Sequence, residues 1–307
     1  NVQEPDLESP CDVVAVSAML TAQLPRAVEI ADECRRRGVP VIAGGISITL
    51  HSDELVGRFD AVFRGESEGR IAAVLDDLRN GELKPLYDHL ATPPPIESVG
   101  IARRDLLHPT GYIYRGTRML DLVHASRGCR FDCFPCCTGM LGGRNFRPRP
   151  IEQVVAEVES IENNRLFFVD NSFAQDKGWI RELFQALIPL KRKWVCHPIE
   201  EDDEILDLAY KAGCWYVYQA VFDTSDFIRR RIAAYKDHGI GVEGTIILGM
   251  DDHTVASIRR LVDFLVEVEL DLAEFTILTP FPQTVFAEQR AEQVVTRDWR
   301  RYDCMHS

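Results

Sequence analysis

The chain has 307 residues, 46% of them apolar and 27% charged, with a formal net charge of -13 at pH 7. That size and composition suit two domains or one large α/β barrel with a real core. The negative balance argues against nucleic acid or an anionic membrane as partner. No apolar run reaches the ~18 residues of a membrane span, and "NVQEPDLESP" is unlike a signal peptide, so a cytoplasmic home is expected.

In chain order, "CDVVAVSAM" (11–19) predicts a first strand. Pro25 opens a helix with Ala27, Ile30, Ala31 and Cys34 on one face, and Gly38 closes it. "VPVIAGGI" (39–46) and "FDAVFRGE" (59–66) predict the next strands, followed by a helix burying Ile71, Val74, Leu75 and Leu78. Apolar strands alternating with helices imply a parallel, Rossmann-like sheet. From Gly81 to Thr117 the periodicity lapses, and the three prolines of "ATPPPIESVG" mark a linker.

A second series follows, with strands expected at 120–126, 166–170, 194–198, 215–221, 242–249 and 273–280. Helical patterns fill the gaps, among them Ile151, Val154, Val155, Val158 and Ile161, and later Val255, Ile258, Leu261, Val262 and Leu265. Six βα units make a partial TIM barrel or an open parallel sheet. Either architecture gathers ligands at the C-terminal ends of its strands. "RDWRRYDCMHS" reads as the start of a further element.

Chemistry concentrates in "ASRGCRFDCFPCCTG", just after the first strand of the second series. Of nine cysteines, four fall between 129 and 137, and Cys129, Cys133 and Cys136 are spaced C-x3-C-x2-C. An odd count is a poor disulfide framework, and Cys11, Cys34, Cys196 and Cys214 read as small buried hydrophobes. Structural zinc needs a closed set of four ligands. Cys137 is badly placed to be the fourth, because neighbouring residues rarely both reach one small ion. An iron-sulfur cubane can offer one iron to an outside ligand, which suits three thiolates in a tight loop.

A C-x3-C-x2-C loop after the first strand of a six-unit βα array resembles the signature of the radical S-adenosylmethionine enzymes. The resemblance implies a 4Fe-4S cluster on Cys129, Cys133 and Cys136, whose unique iron takes S-adenosylmethionine. It further implies S-adenosylmethionine contacts at Asp170 and Asn171 in "FFVDNSFAQD", at Gln219, and at Gly249 in "GTIILGMDDHT". "TPFPQT" (279–284) is similar to the TPFPGT that closes the barrel in one subset of these enzymes. Pro135 stands where many members carry an aromatic residue, and Phe222 and Asp223 follow the fourth strand where close relatives carry Glu. His197 ends the third strand, where it either meets a ligand or serves as a hydrogen-bonded structural histidine.

The N-terminal part resembles the cobalamin-binding domain that precedes the radical core in the subfamily of anaerobic magnesium-protoporphyrin ester cyclases, hopanoid methylases and natural-product methyltransferases. "SAML" (17–20), "AGGISITL" (43–50) and "RGESEG" (64–69) carry that likeness, which implies cobalamin contacts at Ser17, Leu20, Gly44, Gly45, Gly65 and Glu66. A D-x-H-x-x-G loop with a cobalt-ligating histidine does not occur, and Ser47 follows the glycine pair where relatives have GGxHxT.

The expected organisation is a Rossmann-like cobalamin domain at 1–80, a linker at 81–117, a radical core at 118–290 and a C-terminal element beginning at 291–307. The expected function is cobalamin-dependent methyl transfer to an unactivated carbon of a small-molecule substrate. In the implied mechanism the reduced cluster cleaves S-adenosylmethionine, a deoxyadenosyl radical takes a substrate hydrogen, and methylcobalamin supplies the methyl. A reductant such as flavodoxin or ferredoxin is the implied partner. The rivals are a radical cyclase or rearrangement enzyme without methyl transfer, and a structural zinc protein.

Overall fold

The computed structural model describes residues 5–107 and 109–306. The first residues of "NVQEPDLESP", His108 in the expected linker and Ser307 lie outside the described residues. The chain divides into two compact units. One comprises Asn1–Val99, Arg130–Asn145 and Thr279–Ser307, and the other Gly100–Cys129 and Phe146–Leu278.

In the first unit, β1 (Val14–Ser17), α1 (Leu24–Arg36), β2 (Val41–Gly44), α2 (Ile46–Leu50), α3 (Ser52–Leu55), β3 (Ala61–Arg64), α4 (Ile71–Asn80) and β4 (Leu86–Asp88) follow one another. The four strands pair in the order β1-β2-β3-β4, all parallel. Leu24, Ala27, Val28, Ala31 and Cys34 of α1 pack against Val41, Ala43 and Val62 of the sheet. Burying such side chains contributes about 1.5–3 kcal/mol each for the larger ones, enough to hold a helix whose own propensity is marginal.

Two features of this unit escape periodicity. "ISITL" is rich in β-branched residues, which favour strands, yet it forms the helix α2. Gly45, at φ +97°, turns the chain sharply at the end of β2, and Ile48 and Leu55 then bury against the α1 side of the sheet. Packing here overrides propensity. β4 lies inside the expected linker, and its three residues are too few to show alternation.

The second unit opens with a hairpin of β5 (Ile113–Tyr114) and β6 (Thr117–Arg118), then β7 (Asp121–Val123) and the short pair β8 (Ser126–Arg127) with β9 (Arg147–Pro148). The short α5 (Thr138–Leu141) falls between β8 and β9 in sequence, within the first unit. Five βα repeats follow: α6 (Ile151–Ser160), β10 (Arg165–Phe168), α7 (Lys177–Leu187), β11 (Lys193–Cys196), α8 (Asp203–Ala212), β12 (Cys214–Ala220), α9 (Asp226–Asp237), β13 (Gly241–Leu248), α10 (Val255–Glu267) and β14 (Leu272–Ile277). The six-stranded sheet runs β7-β10-β11-β12-β13-β14, wholly parallel and open, as the six expected strands require. α11 (Val285–Gln289) belongs to the first unit.

One face of this sheet is helix-covered. Leu166, Phe168, Trp194, Cys196, Val217, Val242 and Ile246 meet Ile180, Leu183, Phe184, Ile205, Leu206, Ile232 and Phe264 in a single core. The helices start on caps whose side chains accept the first free N–H groups: Asp176 from Trp179, Asp202 from Ile205, Ser225 from Ile228 and Thr254 from Ser257. Gly213 ends α8 at φ +103°, where an added Cβ would come within 1.9 Å of the Arg192 carbonyl oxygen. A buried ion triad ties 100–107 to α6, since Glu157 accepts from both Arg104 and Arg149, at 2.7 and 2.6 Å.

Candidate functional site

The loops that end β7, β10 and β11 hold one another. Asp170, at the end of β10, is buried, and its carboxylate accepts from the Ala125 N–H at 3.0 Å and from the Ser126 hydroxyl. Burial pushes Asp170 up to about 6, against the hydrogen bonds that favour its ionised form. Asn171 and Gln175 both donate toward the Gly128 carbonyl, at 3.5 and 3.4 Å. The loop after β10 thus grips residues 125–128, the root of the cysteine loop.

The loop after β11 braces the grip from behind. His197 Nδ1 lies 2.6 Å from the Asp170 carbonyl oxygen, and the Pro198 carbonyl accepts from Phe173 N–H at 3.0 Å. A carbonyl only accepts, so Nδ1 carries the proton and Nε2 is left as an acceptor in the neutral ring. Burial pushes the His197 pKa down, which favours that neutral ring.

Beyond this root, none of the three cysteines of the motif is in a disulfide among the described residues; Cys129 is buried and Cys133 and Cys136 are exposed. Cys129 falls in the second unit, and Cys133 and Cys136 in the first. The Cys136 N–H donates to the Cys133 carbonyl at 2.9 Å, and Cys136 Sγ accepts from Thr138 N–H at 3.4 Å. Arg144 donates to the Phe131 carbonyl at 3.1 Å and pairs with Asp132 at 2.5 Å, which braces the loop from its far end. Among the described residues, no three His, Cys, Asp or Glu side chains stand close enough to hold a metal ion. The donor set nonetheless fits a cluster in kind, with soft thiols on a tight turn and an amide donating to one sulfur. Cys137 is half-buried, and burial pushes its thiol up, against a ligand role.

The expected S-adenosylmethionine contacts do not behave alike. Both oxygens of Asp170 are engaged at the root, and Asn171 faces the same way. Gln219 shares its face of β12 with Val217 and Val221, which lie in the helix-covered core, and its Nε2 donates to the Ala220 carbonyl at 2.8 Å. Gly249 stands at φ +95° with its nearest outside neighbour, Leu278 Cβ, 3.8 Å from an added Cβ. Its exposed backbone leaves room for a ligand to approach closely.

The C-terminal edge of the first sheet is knotted just as closely. Ser47 N–H donates to the Ala18 carbonyl at 3.0 Å, its hydroxyl donates to the Met19 carbonyl at 2.9 Å, and Gly65 N–H donates to Thr49 Oγ1 at 3.3 Å. Gly45 is needed because an added Cβ would meet Ser17 Oγ at 2.7 Å, and Gly65 because it would meet the His89 carbonyl carbon at 2.9 Å. Gly44 has only ordinary contacts, 3.7 Å to the Phe63 carbonyl oxygen. Gly45 and Gly65 therefore serve the chain's own turns. The edge leaves apolar Met19 and Leu20 exposed, at 57% and 45%, at the C-terminal ends of the strands, where parallel α/β sheets take their ligands, with Glu66 on the neighbouring loop. An apolar rim over tight turns fits a large planar cofactor. His51 is spoken for, its ring nitrogens at 3.2 Å from Thr21 Oγ1 and 3.3 Å from Glu54 Oε1.

Residues 7–75 match the B12 binding domain. Along nearly its whole length the chain resembles cobalamin-dependent radical S-adenosylmethionine enzymes. It is 25% identical to bacteriochlorophyllide d C-8(2)-methyltransferase of Chlorobaculum tepidum, over 96% of this chain and 72% of that protein. It is 24% identical to hopanoid C-3 methylase of Methylococcus capsulatus, over 96% of this chain and 64% of that one. The solved structure of the radical S-adenosylmethionine methyltransferase TsrM from Kitasatospora setae, with cobalamin and a [4Fe-4S] cluster bound, superposes with a TM-score of 0.77 at 19% identity. That match covers 93% of this chain and 68% of TsrM, and it establishes a shared fold.

Periodicity and motif located the cysteine loop and the strand ends around it. They did not single out Gln175 or Ser126, ordinary polar residues whose partners lie 47 and 44 positions away in sequence. Gln283 is another. It occupies the glycine position of TPFPGT at φ +61°, donating to the Leu50 carbonyl at 2.8 Å and accepting from Arg64 at 3.3 Å.

Proposed function

We propose that the chain is the cofactor-binding part of a cobalamin-dependent radical S-adenosylmethionine methyltransferase acting on a small molecule. The observation that carries this is the C-x3-C-x2-C loop, rooted at the C-terminal end of the first strand of an open six-stranded parallel sheet and preceded by a B12-binding segment. Cys129, Cys133 and Cys136 would hold the cluster, and Gly249 would lie along the adenosine. Ser17, Leu20, Gly44, Gly45, Gly65 and Glu66 would line the corrin. When bound, these groups supply the electron that breaks the C–S bond of S-adenosylmethionine and carry the methyl to be transferred.

The chain's own residues then position and shield. Asp170, Asn171 and Gln175 fix residues 125–128, so Cys129 leaves its sheet from a hydrogen-bonded turn. Gln219 acts in this reading by filling the sheet beneath the ligand. The functional division into a cobalamin domain at 1–80, a linker at 81–117 and a radical core at 118–290 belongs to the same proposal, as do a flavodoxin or ferredoxin reductant and a cytoplasmic location. No helix among the described residues is long and apolar enough to cross a membrane.

The test is reductive cleavage. Protein purified without oxygen and reconstituted with iron, sulfide and cobalamin should release 5'-deoxyadenosine from S-adenosylmethionine under dithionite, and Cys133→Ala should release none. Equal release by the variant would overturn the proposal. With a substrate in hand, a product heavier by one methylene distinguishes methyl transfer from cyclisation.

A further inference from the structure

The face of the six-stranded sheet opposite the helices is not bland. Strand alternation places Leu122, Phe167, Val195, Tyr216, Tyr218 and Glu243 on it, since their neighbours Val123, Leu166, Phe168, Cys196 and Val217 belong to the helix-covered core. Phe167 stacks on Tyr218 with ring centroids 5.2 Å apart, and the His197 ring lies 5.5 Å from the first and 5.8 Å from the second. Tyr218 pairs in register with Glu243 on the next strand, and Thr245 with Glu274 on the one after.

The charges and open groups on this face are one-sided. Burial and the Glu274 charge both push Glu243 up, and both glutamates push the Tyr218 phenol up after burial has done so. The Tyr216 ring occupies the space over Gly241, where an added Cβ would come within 2.6 Å of it, and its hydroxyl is buried without a partner. A buried hydroxyl left unpaired is open to a hydrogen bond from water or a ligand group. Arg165 and Lys193 share the face but sit exposed at the N-terminal ends of β10 and β11. Leu122 and Leu272 are each 57% exposed at its two sides, so the floor is apolar as well as anionic.

We propose that this floor binds a small organic cation carrying a flat aromatic ring, the ring against Phe167, His197 and Tyr218 and the cationic group toward Glu243 and Glu274. Rings and carboxylates attract the same occupant. A cation near an aromatic face gains from the ring quadrupole, and it relieves the repulsion between the two glutamates. His197 Nε2 and the Tyr216 hydroxyl remain to pair with polar atoms on the ring. The inference rests on the proposed function only in calling the occupant a substrate; binding itself needs no cluster.

Calorimetric titration of the full-length protein with tryptamine, 3-methylindole and indole-3-acetate tests it, because the three share a ring and differ in charge. Tryptamine should bind about tenfold more tightly than 3-methylindole, with indole-3-acetate weakest. The Glu243→Gln, Glu274→Gln pair should bring tryptamine to the level of 3-methylindole, whose own affinity stays within about twofold. Glu274→Gln alone, at an exposed position, should cost tryptamine roughly threefold and serves if the double variant melts without cooperativity. Equal affinity for all three probes, no binding by any, or tryptamine binding unchanged in the variants would each overturn the proposal. Iron and cobalt assays on the same preparation separate the two claims. A metal-free chain that still prefers tryptamine keeps the cation site and loses the radical chemistry, and a loaded chain without the preference does the reverse.

Discussion

At Asp170 a carboxylate sits in the interior with two hydrogen-bond donors, and burial outweighs them, so its pKa rises to about 6. The folded chain then holds this proton more tightly than the unfolded chain, whose value is near the ordinary 3.8. The stabilisation from protonation is fully present below that ordinary value and is lost as pH rises through about 6. The loss is on the order of 3 kcal/mol. Asp170→Asn keeps the shape and removes the titration, so the variant should gain on the wild type by about that much between pH 4 and pH 7. Urea unfolding of both proteins at the two pH values checks this, and a constant difference between them would contradict it. The same residue marks where motif reading ends. "VDNS" at a strand end implied S-adenosylmethionine contacts by resemblance, but the partners of Asp170 lie 44 and 45 positions earlier, and local sequence carries no sign of them.

At the scale of elements, the six strands and five helices of the second unit follow from apolar periodicity, because each helix buries one stripe and the inner strands one face, while β14 at the edge has no fully buried residue. α2 and β4 do not, the first because Gly45 and core contacts impose a coil on β-branched residues, the second because three residues are too short a pattern. The attachment of 100–107 was illegible for a different reason. It depends on Glu157, a charged residue on the buried stripe of α6, neutralised by Arg104 from the expected linker and Arg149 from the segment before the helix. Removing that carboxylate leaves two guanidinium groups with reduced compensation. Glu157→Ala should therefore destabilise the protein by about 3–5 kcal/mol. Denaturant unfolding would show it as a lower midpoint with unchanged slope, and a loss well under about 1 kcal/mol would mean the triad is solvated.

For the whole molecule, there are two parallel sheets, each with its C-terminal edge tied by side-chain and backbone hydrogen bonds. The order of B12-binding segment and cysteine-bearing sheet was legible because it rests on motifs placed at strand ends. The glycines of the first edge were legible only as glycines, since Gly45 and Gly65 prove to be required by the chain's own close packing. The most direct measurement is iron, zinc and cobalt content per chain after purification without oxygen and reconstitution with iron, sulfide and cobalamin. About four irons and one cobalt per chain are expected, as one cubane and one corrin require. Zinc in place of iron would contradict the radical mechanism, and iron without cobalt would contradict a cobalamin role for the first sheet.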